Sequence, residues 1–524
     1  MRFNDTINAI FKQDNEFVAR IDQQNYIFKT IFFNPDNNLI PLPQQSLKTL
    51  TISDNIFEPF NKGSIIFINN QDAFERFTLT NSDTEFSTNK ETNFGSYNYR
   101  GDGRDLLFLE IKPTEIDDTK MSDDFYKVFG YKNTFCIYDE ENIIEADQNN
   151  TFKKYDFYDF DEQLLKEKSL FFSSVKVGEP GIDFILKNNK GREANTSDCI
   201  RTILKDGLFE DSENQIFEFD TEQNIVNFES GLTDIFYTSP PNSSAYDDLS
   251  YILKHHVSGE PGYDFSFLKK NNFTGEFSLE SLSEIYKKAF NQDSNTPGAY
   301  LQEQIIITNA GDTSNDLMQN ADKSPADTPG FGEKSTAINF KFFNTSAIVN
   351  TKSVNSKAVH SYDHTKKQFQ LETFKSNIEN AKDTFDTLYV DGKVKGKDNE
   401  PSPSIVLNNS KIQNFNYENT FSLYGDNENI RLTQGINKLL KSAFLTNIGV
   451  EIFLKGQTFR KSGRFFTLDR AENYPDNVLD KKMLGTYLIL NVEHIYNGDN
   501  TYFNKVIGVK TYTFEDLKYI QNIL

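Results

Sequence analysis

GTYLILNVEHIYNGDNTYFNKVIGVKT, residues 485–511, decides the fold class. Gly485 to His494 and Thr501 to Thr511 are runs rich in β-branched and aromatic residues, and Ile495 to Asn500 between them carries the pair Asn497-Gly498. Asparagine and glycine tolerate the positive φ angles of tight hairpin turns, so the segment predicts two antiparallel strands joined by a short turn. Toward the N-terminus, Ile448, Val450, Ile452 and Leu454 alternate with other residues at the period of a half-buried strand. FRKSGRFFTLD, residues 459–469, adds a turn and a further strand, and a short helix is expected over Phe514 to Leu524.

The first third of the chain has the same two-residue period. Phe17, Ala19 and Ile21 lead through the polar turn Asp22 to Asn25 into Tyr26, Phe28, Thr30 and Phe32, which predicts a hairpin. LKTLTIS (47–53), GSIIFIN (63–69), LLFLEIK (106–112), Thr134 to Asp139 and FKKYDFYDF (152–160) read as further strands. Clusters of Gly, Asn, Asp and Pro separate them, as turns of an antiparallel barrel or sandwich require. Residues 16–180 are therefore expected to form a β-barrel domain, preceded by a helical segment over 1–15 where Phe3, Ile7, Ile10 and Phe11 recur at near-helical spacing.

From about residue 181 the period shifts toward 3.6. Ile200, Ile203 and Leu204 form an apolar stripe stopped by Gly207. Tyr246, Leu249, Ile252, Leu253 and His256 mark an amphipathic helix capped by Ser244, and Leu282, Ile285, Tyr286 and Ala289 predict another over 279–290 capped by Ser278. GYDFSFLKKNNFTGEFS between them reads as a hairpin, which makes 181–345 an α+β region. Residues 310–335 and 391–404 lack periodicity and concentrate Asp, Ser, Pro and Gly, so both are expected to be long loops. The fold class is α+β, mainly β.

Composition narrows the chemistry. With 37% hydrophobic residues, 49 Phe and 24 Tyr against no Trp and 4 Met, aromatic rings supply much of the packing area of a folded, multidomain chain of 524 residues. The balance of 55 basic against 77 acidic residues, a formal charge of −22, repels phosphate on average and argues against nucleic acid as a bound partner. Apolar runs are too short for a membrane span, no signal-peptide pattern opens the chain, and Cys136 and Cys199 show no CxxC spacing, so folding in a cytoplasm without disulfides is expected.

Few residues invite a catalytic reading. Of the five histidines, His255 and His256 read as packing or surface residues of a helix, and His494, at the end of a strand, as the support of a turn or an interface. His360 and His364 in HSYDH would share a metal only on a helix, whereas the segment reads as strand and turn. GxSxG, GxxxxGK[ST] and HExxH patterns are absent, and GDGR at 101 and PGFG at 329 lack a following helix. No catalytic, cofactor-binding or metal-binding residue is assigned, and no cofactor is expected.

The order of segments resembles a known family. LTISDNIFEPFNKGSIIFINNQDAFERF (50–77) resembles the opening barrel of contractile-phage baseplate hub proteins: a strand, an acidic-polar turn, and a glycine leading into a second strand. GVEIFLKGQTFRKSGRFFTLDR (449–470) and LGTYLILNVEHIYNGDNTYFNKVIGVKTY (484–512) are similar to the closing barrel strands of these hubs, of late-control protein D and of type VI spike proteins. PPNSSAYDDLSYILKHH, GYDFSFLKK and FSLESLSEIYKKAF resemble the family's middle α+β domain, and AIVNTKSVNSKAVHSYDHTKKQFQLE the lead into the second barrel. The chain departs from the family in its length, its two long loops and the absence of a lysozyme-like segment.

The resemblance implies a non-enzymatic virion protein of the tail baseplate, assembled in the bacterial host cytoplasm. It implies a homotrimer in which 16–180 and 346–524 are two similar, antiparallel tail-tube-like barrels, so that three chains make a pseudo-sixfold ring. The implied partners are the tail tube protein, the central spike protein and baseplate wedge proteins, with DNA only as passing cargo and no stable membrane association. An acidic wall suits such a channel, since DNA slides past it without sticking. A baseplate wedge or other tail adaptor, and a tail-associated cell-wall hydrolase, are the alternatives.

Overall fold

The computed structural model describes residues 18–21, 26–33, 38–41, 46–68, 78–80, 93–95, 101, 104–113, 130–145, 150–170, 194–209, 225–228, 234–235, 239–256, 266–281, 285, 302–307, 334–344, 358–363, 368–373, 448–470 and 484–510. Strands β1 (Val18–Ile21), β2 (Tyr26–Phe33), β3 (Asn38–Pro41), β4 (Leu47–Asn55), β5 (Lys62–Ile68), β6 (Thr78–Thr80), β7 (Asn93–Gly95), β8 (Leu106–Pro113), β9 (Tyr131–Glu145) and β10 (Asn150–Asp159) precede helix α1 (Phe160–Glu167). The middle adds β11 (Ala194–Asn195), α2 (Thr196–Leu204), β12 (Ile225–Phe228), β13 (Asp234–Ile235), α3 (Ala245–His255), β14 (Ser266–Lys270) and β15 (Phe277–Ser281). The remaining strands are β16 (Gln302–Ile307), β17 (Lys334–Asn344), β18 (Ala358–Asp363), β19 (Gln368–Thr373), β20 (Ile448–Lys455), β21 (Phe465–Arg470), β22 (Gly485–Asn497) and β23 (Tyr502–Lys510).

The architecture is mainly antiparallel β with few helices, as the sequence predicts. The two β-rich regions are not separate sheets, however. They are halves of one 16-stranded sheet, joined where β22 pairs antiparallel with β4, from Asn491 opposite Asn55 to Asn497 opposite Thr49. In the C-terminal half, hydrogen bonds run from β21 through β16, β17, β20, β23 and β22 and return to β21, so six strands form a cycle. The N-terminal half runs β4, β5, β10, β9, β8, β2, β3, β6, β7, with β1 on β2, and makes no such cycle among the described residues.

β16 is parallel to both its neighbours, β17 and β21, where antiparallel pairing alone was expected. It lies before residue 346, as does β17, so hydrogen bonding continues across the boundary expected between the middle and the last region.

The decisive hairpin forms as predicted, with a different turn. Asn497 N–H bonds Thr501 O at 2.9 Å and Asn500 N–H bonds Asn497 O at 3.1 Å, with Asn500 at φ 66°. This is a three-residue loop closed by a left-handed residue, so Asn500 rather than the Asn497-Gly498 pair carries the positive φ. Gly498 is needed for another reason: its N–H bonds Lys48 O at 2.9 Å, and a Cβ there would strike the carbonyl of Leu47.

Each half has its own core. Phe28, Phe32, Ile52, Phe67, Tyr155 and Phe157 fill the first together with Tyr496 and Tyr502, which come from the second half. Val450, Ile452, Leu454, Phe466, Tyr487 and Val506 fill the interior of the six-strand cycle. A third core holds the middle elements, with Leu165 of α1, Ile200 and Ile203 of α2, Leu249 and Ile252 of α3, and Leu268 and Leu279 of the β14–β15 hairpin.

Helix α3 begins at its predicted cap. Asp247 N–H donates to Ser244 Oγ and Ser244 N–H to Asp247 Oδ2, each at 3.1 Å, so two otherwise orphaned donors are satisfied. The helix predicted over 279–290 is corrected at its start: Ser278 and Leu279–Ser281 belong to β15, because Phe277 and Leu279 point into the third core at a two-residue period and the strand is paired on both sides, by β14 and β12, whereas Ile285 is helical and the other residues of 282–290 lie outside the described residues. Expected loop 310–335 ends earlier than drawn, since Lys334 and Ser335 begin β17. The rest of that loop, the loop 391–404, the helical segment 1–15 and the helix 514–524 lie outside the described residues. Among the described residues no helix is long and apolar enough to cross a membrane.

Candidate functional site: a buried polar joint

The connection between β20 and β21, GQTFRKSGR (456–464), contains the turn expected from the sequence. Within it Gln457, Thr458, Phe459, Arg460 and Ser462 are all buried. The backbone explains this: Gly456 N–H bonds Tyr502 O at 2.7 Å, and Gly463, at φ +77°, bonds Ile489 O at 2.8 Å, so the loop is stitched flat onto β22 and β23. Its side chains then project between the two halves of the sheet.

Arg460, 2% exposed, is the centre. Its Nε donates to Glu303 Oε2 at 2.8 Å and its Nη2 to Glu303 Oε1 at 2.5 Å, a bidentate pair from β16. Nη2 also donates to Ser335 Oγ of β17 at 3.2 Å, and Nη1 to Asn504 Oδ1 of β23 at 2.7 Å and to the carbonyl of Lys455. One guanidinium thus ties four strands of the cycle, β16, β17, β20 and β23, to the loop.

The network continues into the first half. Asn504 Oδ1 also accepts the Gln457 N–H at 2.7 Å, and Gln457 Oε1 accepts Tyr26 OH of β2 at 2.6 Å. Tyr26 meets Tyr502 edge-on at 5.4 Å, and Tyr502 stacks on Tyr496 at 4.2 Å. His494 Nδ1 lies 2.7 Å from Tyr502 OH and 3.0 Å from Asn504 Nδ2. An amide nitrogen only donates, so Nδ1 accepts and the ring is neutral. Burial pushes this imidazole down to about 4, with Lys461 and Arg460 adding to the effect and Asp54 opposing it.

Two consecutive lysines of β14 clamp the middle region onto this joint. Lys269 Nζ donates to Ser462 Oγ at 3.0 Å and to the carbonyl of Ser462, whose own hydroxyl and N–H are held by Asp54 of β4 at 2.7 and 2.9 Å. Burial pushes Lys269 down to about 8, although Asp54 and Glu280 favour its charge. Neighbouring residues of a strand face opposite ways, so Lys270 reaches the other side. There its Nζ lies 2.8 Å from Asp159 Oδ1 and 2.6 Å from Asp161 Oδ2. Asp159 is also the N-cap of α1, accepting the Asp161 N–H at 2.9 Å. Burial raises the Asp161 carboxyl above the usual range against the pull of Lys270; for Lys270 the two aspartates outweigh burial and hold its proton.

Each cation just described is closed on acids, carbonyls or hydroxyls. His256 of the middle core is similar: its Nδ1 lies 2.9 Å from Thr196 Oγ1, and burial lowers it to about 4, so it pins the start of α2 to the end of α3. His360 sits on β18, opposite Leu371 of β19, in a strand rather than the helix a shared metal with His364 would need. His364 and the side chain of His255 lie outside the described residues. Cys136 on β9 and Cys199 on α2 are both buried and form no disulfide. Among the described residues no group of three or more His, Cys, Asp or Glu is placed to hold a metal ion.

The residues that matter here are not those the sequence singles out, His494 excepted. Arg460 and Glu303 stand 157 residues apart and carry no local signal. Lys269 and Lys270 lie in the segment read only as a hairpin. Only Asp159 was legible in principle, as a cap-forming acid just ahead of the run LLKE.

No family model and no curated protein matches the chain. Solved structures to which it is similar are phage tail and baseplate proteins and proteins related to the type VI secretion spike. A tail protein from Neisseria meningitidis MC58 aligns over 92% of this chain and 96% of its own at 6% identity and TM-score 0.43. The 43 kDa tail protein of prophage MuSo2 from Shewanella oneidensis aligns over 92% and 98% at 6% identity and TM-score 0.42. An E. coli component of the type VI secretion system, described as structurally similar to T4 bacteriophage tail proteins, aligns over 90% and 75% at 7% identity and TM-score 0.34.

Proposed function

We propose that this chain is a structural, non-enzymatic protein of a contractile phage tail, the baseplate hub that adapts a sixfold tail tube to a threefold central spike. The observation that carries the reading is the pairing of β22 with β4. It sets side by side the two stretches whose sequences resemble the hub barrels, so that both halves of the chain share one uninterrupted sheet. A subunit that supplies two neighbouring wall segments of a ring needs such continuity, because hydrogen bonds then carry shear from one segment to the next. Three copies supply six segments, with closed symmetry the ordinary way to bury repeated contacts. Residues 16–180 and 346–524, with β16 and β17 added to the latter, are the two wall segments, and the middle region is a brace clamped through Lys269 and Lys270.

In this role the chain meets the tail tube protein, the central spike protein and wedge proteins, and DNA passes without being held. Its formal charge of −22 suits a lumen that repels phosphate. Electron microscopy of assembled tails decides the matter: three copies on the tail axis between tube and spike are expected, and a sixfold or peripheral position would overturn the hub. Purified protein is expected to leave peptidoglycan intact; clearing of a cell-wall suspension would replace the scaffold by a hydrolase.

A further inference from the structure

Lys270, Asn133, Asp159 and Thr134 are arranged more closely than an ion pair requires. Lys270 Nζ lies 3.3 Å from Asn133 Oδ1, in hydrogen-bond contact with the carbonyl whose carbon it would attack. The same oxygen accepts the Thr134 N–H at 2.9 Å, a fixed donor aimed where negative charge gathers if that carbon is attacked. Asp159 spans both partners, with Oδ1 2.8 Å from Nζ and Oδ2 2.8 Å from Asn133 Nδ2. Asp161 supplies a second carboxylate at 2.6 Å from Nζ. Asn133, Asp159, Asp161 and Lys270 are all buried, so water, the competing nucleophile, is kept away.

We propose that Lys270 and Asn133 join spontaneously in an amide cross-link between β14 and β9, with Asp159 and Asp161 as proton carriers. The Lys270 ammonium gives one proton to Asp161 and becomes an amine. Its lone pair attacks Asn133 Cγ, and the carbonyl electron pair moves to Oδ1, held by the Thr134 N–H. Asp159 takes a second proton from Nζ and passes it to Nδ2. The Cγ–Nδ2 bond breaks, ammonia leaves, and the carbonyl reforms, leaving an Nζ–Cγ amide that keeps one hydrogen on nitrogen. No oxidant or cofactor is needed. The two carboxylates favour the charged ammonium, so the reaction is slow and completes after folding. Asn133 is assigned as the electrophile because the Thr134 N–H polarises its carbonyl, whereas Asp159 stays an anion and resists attack, and Asp161 serves as the acceptor of the first proton.

The bond would fasten the middle region to the first half of the sheet across 137 residues of sequence, whatever the protein's role. Intact-mass spectrometry of the full chain, incubated at neutral pH, is expected to show the loss of one ammonia. Protease digestion under denaturing conditions is expected to yield a branched peptide carrying residues 133 and 270. Lys270→Arg and Asn133→Ala should each retain the full mass. The wild-type peptide map is decisive even if these variants fold poorly. An unchanged mass, an ammonia loss without the branched peptide, or a water loss with a branch to Asp159 or Asp161 would each overturn the assignment.

Discussion

Arg460 and Glu303 face each other through two nitrogen–oxygen contacts of 2.8 and 2.5 Å, with side-chain exposures of only 2% and 4%. A buried pair of this kind punishes the loss of one partner more than the loss of both, since a lone charge stays stranded. Arg460→Met is therefore expected to cost about 3–5 kcal/mol of stability, and Arg460→Met with Glu303→Leu to recover much of that. Urea unfolding of the two single variants and the double variant checks it; additive losses would mean the pair is not coupled.

Acid should weaken the fold through His494 and His256. Their unfolded imidazoles take up protons near 6.5, whereas burial delays this to about 4 in the folded chain. The unfolded state thus binds more protons between those values, so stability is full above the window, falls as pH drops through it, and levels off below. Each histidine contributes at most roughly 1.4 kcal/mol per pH unit. Unfolding midpoints measured across that window should slope less in His256→Gln and His494→Gln, and equal slopes in wild type and variants would show that neither ring is buried neutral.

Gly63 follows Lys62 at the start of β5 and lies opposite Ile52. A Cβ there would strike the Thr51 carbonyl and come within 2.7 Å of the Phe157 ring. Gly63→Ala is expected to lose about 1–3 kcal/mol by overpacking. Chemical denaturation measures this, with Ser64→Ala beside it as the control that should change little.

Ser244→Ala removes the reciprocal cap of α3. A loss of about 1 kcal/mol is expected, together with faster amide exchange confined to the first turn of α3. Faster exchange spread over the whole middle region would point instead to a core defect.

Much of the fold was legible in the residues themselves. Alternation in 47–53, 152–160 and 485–511 specifies strands because a two-residue period buries one face only, and Ser244 with Asp247 specifies a helix start because orphaned N–H groups need acceptors. These signals are local, so sequence order preserves them. The start of the helix predicted over 279–290 misled for a related reason: Leu282, Ile285, Tyr286 and Ala289 fit a helical spacing, and only the pairing of β14 and β12 on either side makes 277–281 a strand.

The union of the two halves and the joint inside it were decided by tertiary structure alone. β4 and β22 are separated by more than 400 residues, and nothing in either strand names the other; the match arises when both edges and the tyrosines beneath them are brought together. Arg460, Lys269 and Lys270 look like solvated charges in the sequence. They become buried and paired because folding closes Glu303, Asp54, Asp159 and Asp161 around them, and the cost of stripping water from a charge is met only by partners that distant parts of the chain deliver.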